Sequence, residues 1–429
     1  MSLSIRAAKG LSIPQTSGGY NDTFAADPYH PQTNPNGFIK LSSADNLLTV
    51  DLLNDKFGPK AMEGFDFKSL LPVYPRPSGS PETLASVATF VNTFCAPGLK
   101  DPIKPSDLTL VSGVTASSDL IANAICDEGD IILTMAPFYY RFTNDYGDRS
   151  LAKVKLIDAF ISAEKPFEVS VDKFEAKFAE MTQKGLPVKA ILIVNPRNPD
   201  GGVATLAELK PIIDWAIKKR NLFVILDEIY NLLVYDPNVK FESALKLFDD
   251  DPSLDRQRLI WLWGLSKVFS VPGLRVATIY TSNKSIQASL KRSLMYQVPN
   301  VVTQHLVKGL LNDHNWVSSF IESNNANLLE ARDYFASRLK SLSTSDKQIR
   351  IANSSAGFFF LADFSDFLAE KTWSSEGALR DAFIREKVLI ISGADVRMPF
   401  PGWFRIVFSA NTKAEVDEAV IRISRALNN

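Results

Sequence analysis

The stretch Trp261-Leu262-Trp263-Gly264-Leu265-Ser266-Lys267, with Arg275 eight residues further on, carries the strongest structural and chemical signal in this sequence. Apolar residues typical of a buried strand end here at a lysine, and a second cation follows. Burial and like-charge repulsion both lower the proton affinity of a lysine amine, so Lys267 is a candidate nucleophile toward an aldehyde. A surface lysine on a loop is the alternative that this stretch alone leaves open.

The composition is that of an ordinary globular protein. The chain has 429 residues, 45% hydrophobic content and a net charge of −1, which is enough for a large core and two domains. Because the charges are interspersed, a small-molecule substrate is expected and a nucleic-acid partner is not. Cys95 and Cys126 make no disulfide framework, and no apolar run approaches membrane-spanning length, so a cytoplasmic protein is expected without a membrane partner. The three histidines lack metal-ligand spacing, so no metal is expected.

Short apolar runs alternate with helical patterns along the chain. This alternation predicts an α/β fold with a mostly parallel central sheet. The candidate strands are residues 108–111, 130–135, 189–194, 222–226 and 259–263. In open α/β sheets the ligand lies at the carboxyl ends of the strands, and the chemically informative residues fall at those ends.

Two of these strand ends offer groups that could hold a ligand, one an anion and the other a flat ring. Gly113 opens a helix at Val114 and Thr115, where free backbone N–H groups and the helix dipole favour an anion. An ordinary helix N-terminus is the alternative. The strand 130–135 is followed by Tyr139, an aromatic face against which a flat ring could stack, although simple packing would also account for it.

Two further strand ends carry polar groups. Asn198 lies in a proline-rich double turn, where its amide could reach a ring hydroxyl. Asp227 follows an apolar strand, and a buried carboxylate needs a cationic partner, for which a protonated pyridine nitrogen would serve. Tyr230 is close enough in sequence to share that ligand. Taken alone, such a short match also arises by chance.

Taken together, these motifs resemble a known family. Asn198-Pro199-x-Gly201, Asp227-x-x-Tyr230 and Ser266-Lys267 with Arg275 follow one another with spacings of 29 and 40 residues. This pattern is similar to that of the fold-type I pyridoxal-phosphate enzymes of the class I/II aminotransferase family. The resemblance implies the cofactor pyridoxal 5′-phosphate, an α-amino-acid substrate, and a large cofactor domain with a smaller α+β domain.

The resemblance also implies a role for each matching residue. Lys267 would bond covalently to the cofactor and Asp227 would keep its ring nitrogen protonated. The remaining cofactor contacts would be Asn198 and Tyr230 at the ring hydroxyl, Tyr139 on the ring face, and Val114, Thr115, Ser266 and Arg275 at the phosphate.

A branch of the family can be named as well. The segment 34–39 followed by Ala44-Asp45-Asn46, and Pro401-Gly402-Trp403-Phe404-Arg405, are similar to 1-aminocyclopropane-1-carboxylate synthases and their relatives. In that pattern Arg405 binds the substrate carboxylate, for which a guanidinium fork is well suited. Asn198 and Asp45 would also face the substrate.

The sequence departs from this branch at three positions. Gly264 stands where the family usually has a phosphate-binding serine, and Asp45 is one methylene shorter than the synthase glutamate. Pro77 replaces the synthase tyrosine. Tyr74 instead has the tyrosine-to-glycine spacing that is typical of ordinary aminotransferases. We therefore expect an aminotransferase. The alternative is an elimination enzyme of the synthase-like branch, either a carbon–sulfur lyase or a cyclopropane-forming synthase, and a fold retained without turnover is a further alternative.

The expected architecture has three parts. Residues 1–69 form an N-terminal arm and part of the small domain, residues 70–310 form the cofactor domain, and residues 311–429 complete the small domain. The resemblance implies a homodimer in which Tyr74, counted with the catalytic residues, reaches the phosphate of the neighbouring subunit. Phe38, Ile39, Asp45 and Arg397 are candidate walls for the substrate side chain. A nicotinamide dehydrogenase is not favoured, because no Gly-x-Gly-x-x-Gly follows any candidate strand.

Overall fold

A seven-stranded sheet forms the centre of the protein, accompanied by a four-stranded and a two-stranded sheet. The structure is a computed structural model that describes residues 3–14, 20–160, 162 and 167–428. The strands in chain order are β1 (Ile39–Lys40), β2 (Leu108–Val111), β3 (Ile131–Ala136), β4 (Lys153–Asp158), β5 (Val188–Val194), β6 (Phe223–Asp227), β7 (Leu259–Gly264), β8 (Ala277–Tyr280), β9 (Arg350–Ile351), β10 (Phe359–Asp363), β11 (Val388–Leu389), β12 (Ile391–Ser392) and β13 (Trp403–Val407).

Helices surround the sheets. They are α1 (Ile5–Leu11), α2 (Asn21–Ala26), α3 (Val50–Lys56), α4 (Phe67–Leu70), α5 (Pro81–Phe90), α6 (Val114–Ile125), α7 (Phe142–Asp145), α8 (Val171–Gln183), α9 (Leu206–Asp214), α10 (Leu245–Asp250), α11 (Leu265–Val268), α12 (Lys284–Ser293), α13 (Val301–Leu311), α14 (His314–Lys340), α15 (Trp373–Arg385) and α16 (Lys413–Asn428). Single π-helical turns extend α5 and α9 at Val91–Cys95 and Trp215–Lys219. Short 3₁₀ segments occur at Pro59–Met62, Pro105–Asp107, Arg256–Arg258, Pro272–Leu274, Leu294–Tyr296 and Ser365–Phe367. No helix in the described part of the chain is long and apolar enough to cross a membrane.

The central sheet has the order β2-β8-β7-β6-β5-β3-β4. Neighbouring strands from β7 to β4 pair in parallel, while β8 runs antiparallel to both β2 and β7. The prediction of an α/β fold with a mostly parallel sheet is therefore confirmed. All five predicted strands are present, with ends within one residue of the predicted ones.

The sheet is buried on both faces, which explains why its strands are almost continuously apolar. Along β7, Ile260 and Leu262 pack into one hydrophobic cluster, and Trp261 and Trp263 pack into another on the opposite face. In the central strands, which are covered on both faces, polar groups with access to a ligand lie mainly at the strand ends. The candidate site residues are found there.

Two strands of the central sheet are not predicted by the sequence. β4 lies at the sheet edge and alternates lysine with apolar residues, as edge strands often do, so it lacks the apolar run of a central strand. β8 has only four residues and runs against the direction of its neighbours. Local composition gave no indication of either strand.

A second structural unit is built from both ends of the chain. Strands β12, β13, β10 and β9 form an antiparallel sheet, and β1 pairs in parallel with β11 through Ile39 and Val388. The N-terminal segment is thus tied to the C-terminal third of the chain, as the expected small domain requires. The domain boundaries at residues 69 and 310 stay a prediction.

Candidate active site

One cavity at the carboxyl edge of the central sheet brings together nearly all of the predicted site residues. It has a volume of about 400 Å³. The predicted residues that line it are Asp45, Val114, Thr115, Tyr139, Asn198, Asp227, Tyr230, Ser266, Lys267, Arg275 and Arg405. β2, β3, β5, β6 and β7 share one direction, so their carboxyl ends meet at this edge.

Lys267 lies in α11, which begins directly after β7. Its Nζ donates a hydrogen bond of 2.7 Å to the carbonyl of Ala44. Burial lowers the pKa of this amine to about 8, and the positive charges of Arg405 and Arg275 act in the same direction, partly opposed by Asp45. The sequence predicts a lowered proton affinity for Lys267 from burial and from a neighbouring cation. Both effects are present, and burial is the larger of the two.

Asp227 is the last residue of β6 and is 3% exposed. Its Oδ1 accepts a hydrogen bond of 3.2 Å from the backbone N–H of Ile229. Within the described residues no lysine, arginine or histidine forms an ion pair with it. Burial therefore raises the pKa of this carboxyl to about 7. Such a group favours a cationic ligand.

The turn between β2 and α6 has the form of an anion site. Gly113 adopts a φ of 92°, and a side chain there would come within 2.2 Å of Arg275 Nη2. Glycine is thus needed for the guanidinium to lie on the turn. Arg275 donates to the carbonyls of Pro272 and Ser112 at 3.2 and 3.3 Å, close to the N–H groups that begin α6. Together these donors suit a phosphate.

Gly264 is a tightly enclosed position. A Cβ placed there would lie 3.1 Å from Ala277 Cβ and 3.2 Å from Val114 Cγ2. The serine that the family usually carries would crowd the start of α6. The local packing therefore favours glycine over a larger residue. Ser266, Thr115 and Arg275 line the cavity and are left to contact a phosphate.

Arg405 lies in β13 and is 1% exposed, yet it borders the cavity. Its Nη1 donates to Asn198 Oδ1 at 3.2 Å, and its Nη2 donates to the carbonyl of Ser42. Its Nε, also buried, has no hydrogen-bond partner among the described residues. Aromatic rings of Tyr140 and Phe359 flank the guanidinium at 5.7 and 5.5 Å. The residue is a fixed cation with capacity for an anionic ligand.

Asn198, Tyr139 and Tyr230 form the remaining wall. Tyr230 is buried, packs edge-on against Phe359 at 5.4 Å, and its hydroxyl lies beside the side chain of Asn198. Tyr139 packs edge-on against Phe142 at 5.2 Å. Packing thus holds both rings, while one side of each remains at the cavity.

Four candidate residues lie elsewhere. Tyr74 is 92% exposed, between α4 and α5, and does not line the cavity. Phe38 and Ile39 line a separate cavity of about 240 Å³, which shares Asp45 with the first. Arg397 is exposed and does not border the main cavity.

Several cavity residues have no counterpart in the sequence-based prediction. Arg141 and Asp145 form an ion pair of 2.9 Å in the wall after β3, and burial raises the pKa of Asp145 to about 6. Their spacing of four residues on a helical turn is the only sequence signal that could have indicated them. Asn21 and Ser43, which hydrogen-bond to each other at 3.2 Å, close the cavity on the N-terminal side.

Comparison with known proteins gives one family. Residues 38–423 match the family model described as aminotransferase class I and II. A Mus musculus protein named 1-aminocyclopropane-1-carboxylate synthase-like protein 1 is 32% identical over 397 residues, which cover 91% of this chain and 76% of the relative. Another Mus musculus relative, named probable inactive 1-aminocyclopropane-1-carboxylate synthase-like protein 2, is 30% identical, with 95% of this chain and 68% of the relative covered.

Solved structures agree on the fold. An aspartate aminotransferase from Thermotoga maritima has a TM-score of 0.76 at 21% identity, covering 100% of both chains. An alanine aminotransferase from Pyrococcus furiosus has a TM-score of 0.75 at 21% identity, also covering 100% of both chains. At this level of identity the similarity establishes the fold, which is that of the fold-type I aminotransferases.

Proposed function

Because this chain belongs to the class I and II aminotransferase family, we propose that it is a pyridoxal-phosphate-dependent enzyme that transaminates an α-amino acid. The observation that carries the proposal is the pairing of two groups in one cavity. Asp227 is a buried carboxylate without an ion-pair partner among the described residues, and Lys267 is an amine with a lowered pKa. A single ligand could serve both groups: its cationic ring would pair with Asp227, and its aldehyde would react with Lys267.

The donor set fits pyridoxal phosphate. Asp227 would hold the ring nitrogen, because a proton on that nitrogen supplies the cation that the carboxylate otherwise lacks. Arg275 and the N–H groups of Val114 and Thr115 would hold the phosphate on the Gly113 turn. The ring hydroxyl would lie with Asn198 and Tyr230, and the ring face with Tyr139.

Lys267 serves as the base in this proposal. When bound, pyridoxal phosphate supplies an aldehyde that condenses with amines and a ring that accepts the electron pair released when Cα loses its proton. A pKa of about 8 leaves part of the lysine amine unprotonated near neutral pH, so Nζ can accept that proton. Burial is the main cause of this lowered pKa, and the charge of Arg405 adds to it.

Arg405 binds the substrate carboxylate in this proposal. Its guanidinium is already oriented by Asn198 and the carbonyl of Ser42. Little side-chain entropy is therefore lost when a substrate binds. The fork geometry fixes a carboxylate in one plane and thereby orients Cα toward Lys267. Asp45 borders the same cavity and would face the substrate side chain, and it interacts at 3.7 Å with Lys40, which lines the neighbouring cavity.

Transamination is the proposed reaction because Tyr74 has the aminotransferase spacing. The alternative is elimination or cyclopropane formation, which the names of the synthase-like relatives favour. Other relatives are named probable inactive. Since Lys267 and Asp227 are both present here, we propose an active enzyme rather than a retained fold.

We also propose a homodimer in the cytoplasm. Leu71, Val73 and Tyr74 are exposed, and Met295 and Tyr296 add further exposed apolar area. An apolar surface of this kind suits a partner subunit. Tyr74 would reach the partner's phosphate across it, and the reducing compartment suits the free thiols of Cys95 and Cys126.

The experiment is an absorbance spectrum of the purified protein with pyridoxal phosphate, recorded before and after a panel of amino acids, followed by product analysis. Transamination predicts a visible band that bleaches as an oxo acid appears. Release of ammonia, pyruvate or a thiol with the band restored would instead establish elimination. No visible band would refute the cofactor assignment.

A further inference from the structure

The turn between β5 and α9 contains a buried ion pair that none of the roles assigned above uses. Arg197 is 9% exposed and Asp200 is fully buried. Arg197 Nη2 contacts Asp200 Oδ2 at 2.7 Å, and Arg197 Nε contacts both carboxylate oxygens at 3.2 Å. The guanidinium also lies over the ring of Phe167, 4.1 Å from its centre. The fork contact and the ring together fix the plane of the guanidinium.

This ion pair closes a small loop around Asn198, which lies between its two partners in the sequence. The backbone closes the same loop, because Arg197 N donates to the carbonyl of Gly202 at 2.8 Å and Gly201 N donates to the carbonyl of Arg197 at 3.1 Å. Pro199 removes one further backbone rotation, since its ring fixes φ. The backbone of Asn198 therefore has little freedom to move while the ion pair is intact.

Two glycines make room for the ion pair. A Cβ at Gly202 would overlap Arg197 Nη2 and would lie 2.5 Å from Asp200 Oδ2. Gly201 adopts a φ of 72°, and its carbonyl accepts two hydrogen bonds of 2.9 Å from the backbone of residues 355–356. The turn is thus shaped around the two charged side chains and is anchored to the loop before β10.

The side chain of Asn198 connects this turn to Arg405. Asn198 Oδ1 accepts a hydrogen bond of 3.2 Å from Arg405 Nη1, and both residues are buried. The carbonyl of Ser42 is the other group that orients this guanidinium. A displacement of Asn198 would remove one of these two acceptors. The guanidinium of Arg405 would then be free to leave the orientation in which it meets a carboxylate.

We propose that Arg197 and Asp200 are positioning residues that hold Asn198 in place and, through it, Arg405. A gain in stability does not account well for the pair, because the cost of removing two charges from water offsets most of their attraction. Holding one conformation of the turn does account for it. The inference rests on the proposed function, since the carboxylate that Arg405 binds is that of the proposed amino-acid substrate.

Two variants test the ion pair, and one variant serves as a control. Arg197→Met combined with Asp200→Val removes both charges and leaves apolar side chains of similar total volume, so the fold should be retained. Arg197→Lys keeps the charge but cannot make the fork contact. If the double variant does not fold, Arg197→Lys takes its place in both measurements below.

Arg256→Lys is the matched control. Arg256 forms an ion pair with Asp249 at 2.8 Å, and it lies in the 3₁₀ segment directly before β7. It is therefore at the amino end of that strand, whereas the cavity is at the carboxyl end. The same substitution here changes an ion pair without touching the turn that carries Asn198.

The first measurement needs no cofactor. Crystal structures of the cofactor-free wild type, the double variant and Arg256→Lys would show whether Asn198 Oδ1 stays within hydrogen-bond distance of Arg405 Nη1. We expect this contact in the wild type and the control, and its loss in the double variant. A contact that persists in the double variant would overturn the inference, whatever the enzyme does.

The second measurement compares an amino acid with the corresponding amine that lacks the carboxylate. Both react with bound pyridoxal phosphate and change the visible band, but only the amino acid uses Arg405. The ratio of the two affinities should fall about tenfold in the double variant, fall less in Arg197→Lys, and stay unchanged in Arg256→Lys.

An equal loss of affinity for the amino acid and the amine would leave this ratio unchanged and would show that the ion pair is only structural, which overturns the inference. If the wild type shows no visible band with pyridoxal phosphate, the proposed function fails. The crystal structures would still decide, in that case, whether the ion pair holds Asn198 against Arg405.

Discussion

Replacing Asp227 by asparagine should stabilise the cofactor-free protein, and the gain should grow with pH. Asp227 has its pKa raised by burial from 3.8 to about 7. Above pH 7 the folded chain must hold a buried charge, whereas the unfolded chain ionises freely above 3.8. Stability is therefore lost as pH rises between these two values, and asparagine removes that loss.

The size of the effect follows from the two pKa values. At 1.36 kcal/mol per unit, the linkage contribution is about 1.7 kcal/mol at pH 5 and about 4.3 kcal/mol at pH 8. The asparagine amide also changes the free energy of unfolding through its packing, by the same amount at both pH values. The difference of roughly 2.6 kcal/mol between pH 5 and pH 8 isolates the ionisation of Asp227.

Urea unfolding of the cofactor-free wild type and Asp227→Asn at the two pH values measures this difference. Asp346→Asn, an exposed loop position, is the control and should show no pH-dependent difference from the wild type. With pyridoxal phosphate present the order should reverse, because the variant lacks the negative charge that binds the ring nitrogen. A stability difference that stays constant from pH 5 to pH 8 would refute the reasoning about Asp227.

Three further predictions concern the cofactor, the substrate and the dimer. Lys267→Ala should lose the visible band of bound pyridoxal phosphate while its circular dichroism spectrum is unchanged; a retained band would exclude this lysine. Arg405→Lys keeps the positive charge but loses the guanidinium fork, so amino-acid binding should weaken roughly 10- to 100-fold. Bleaching of the visible band measures this binding. The exposed control Arg425→Lys should bind the amino acid as the wild type does. Tyr74→Ala should weaken pyridoxal-phosphate binding, and mixing it with Lys267→Ala should restore activity in hybrid dimers; no recovery after subunit exchange would contradict the shared site.

Much of the site could be predicted because its residues follow apolar strands. Asp227 ends one such strand and Lys267 closely follows another, and the direction shared by these strands brings the two together. Tertiary folding adds the rest. Arg405 is 178 residues from Asp227 in the sequence and reaches the cavity from another sheet, so only the family resemblance could place it.

Other features could not be predicted from local sequence. β8 is four residues long and antiparallel, so neither its length nor its pattern separates it from a loop. The Arg141–Asp145 pair depends on which side of α7 faces the cavity, which is set by packing. Tyr74 lies outside the cavity of a single chain, so its proposed role depends on a second subunit.

Reduction of the loaded protein with borohydride, followed by peptide mass mapping, tests whether Lys267 holds the cofactor. Reduction fixes the bond between pyridoxal phosphate and the amine that carries it, and so identifies one lysine among all those in the chain. We predict a pyridoxyl phosphate adduct on the peptide that contains Lys267, and its loss in Lys267→Ala. An adduct on another lysine, or none, would contradict the assignment of this cavity as the active site.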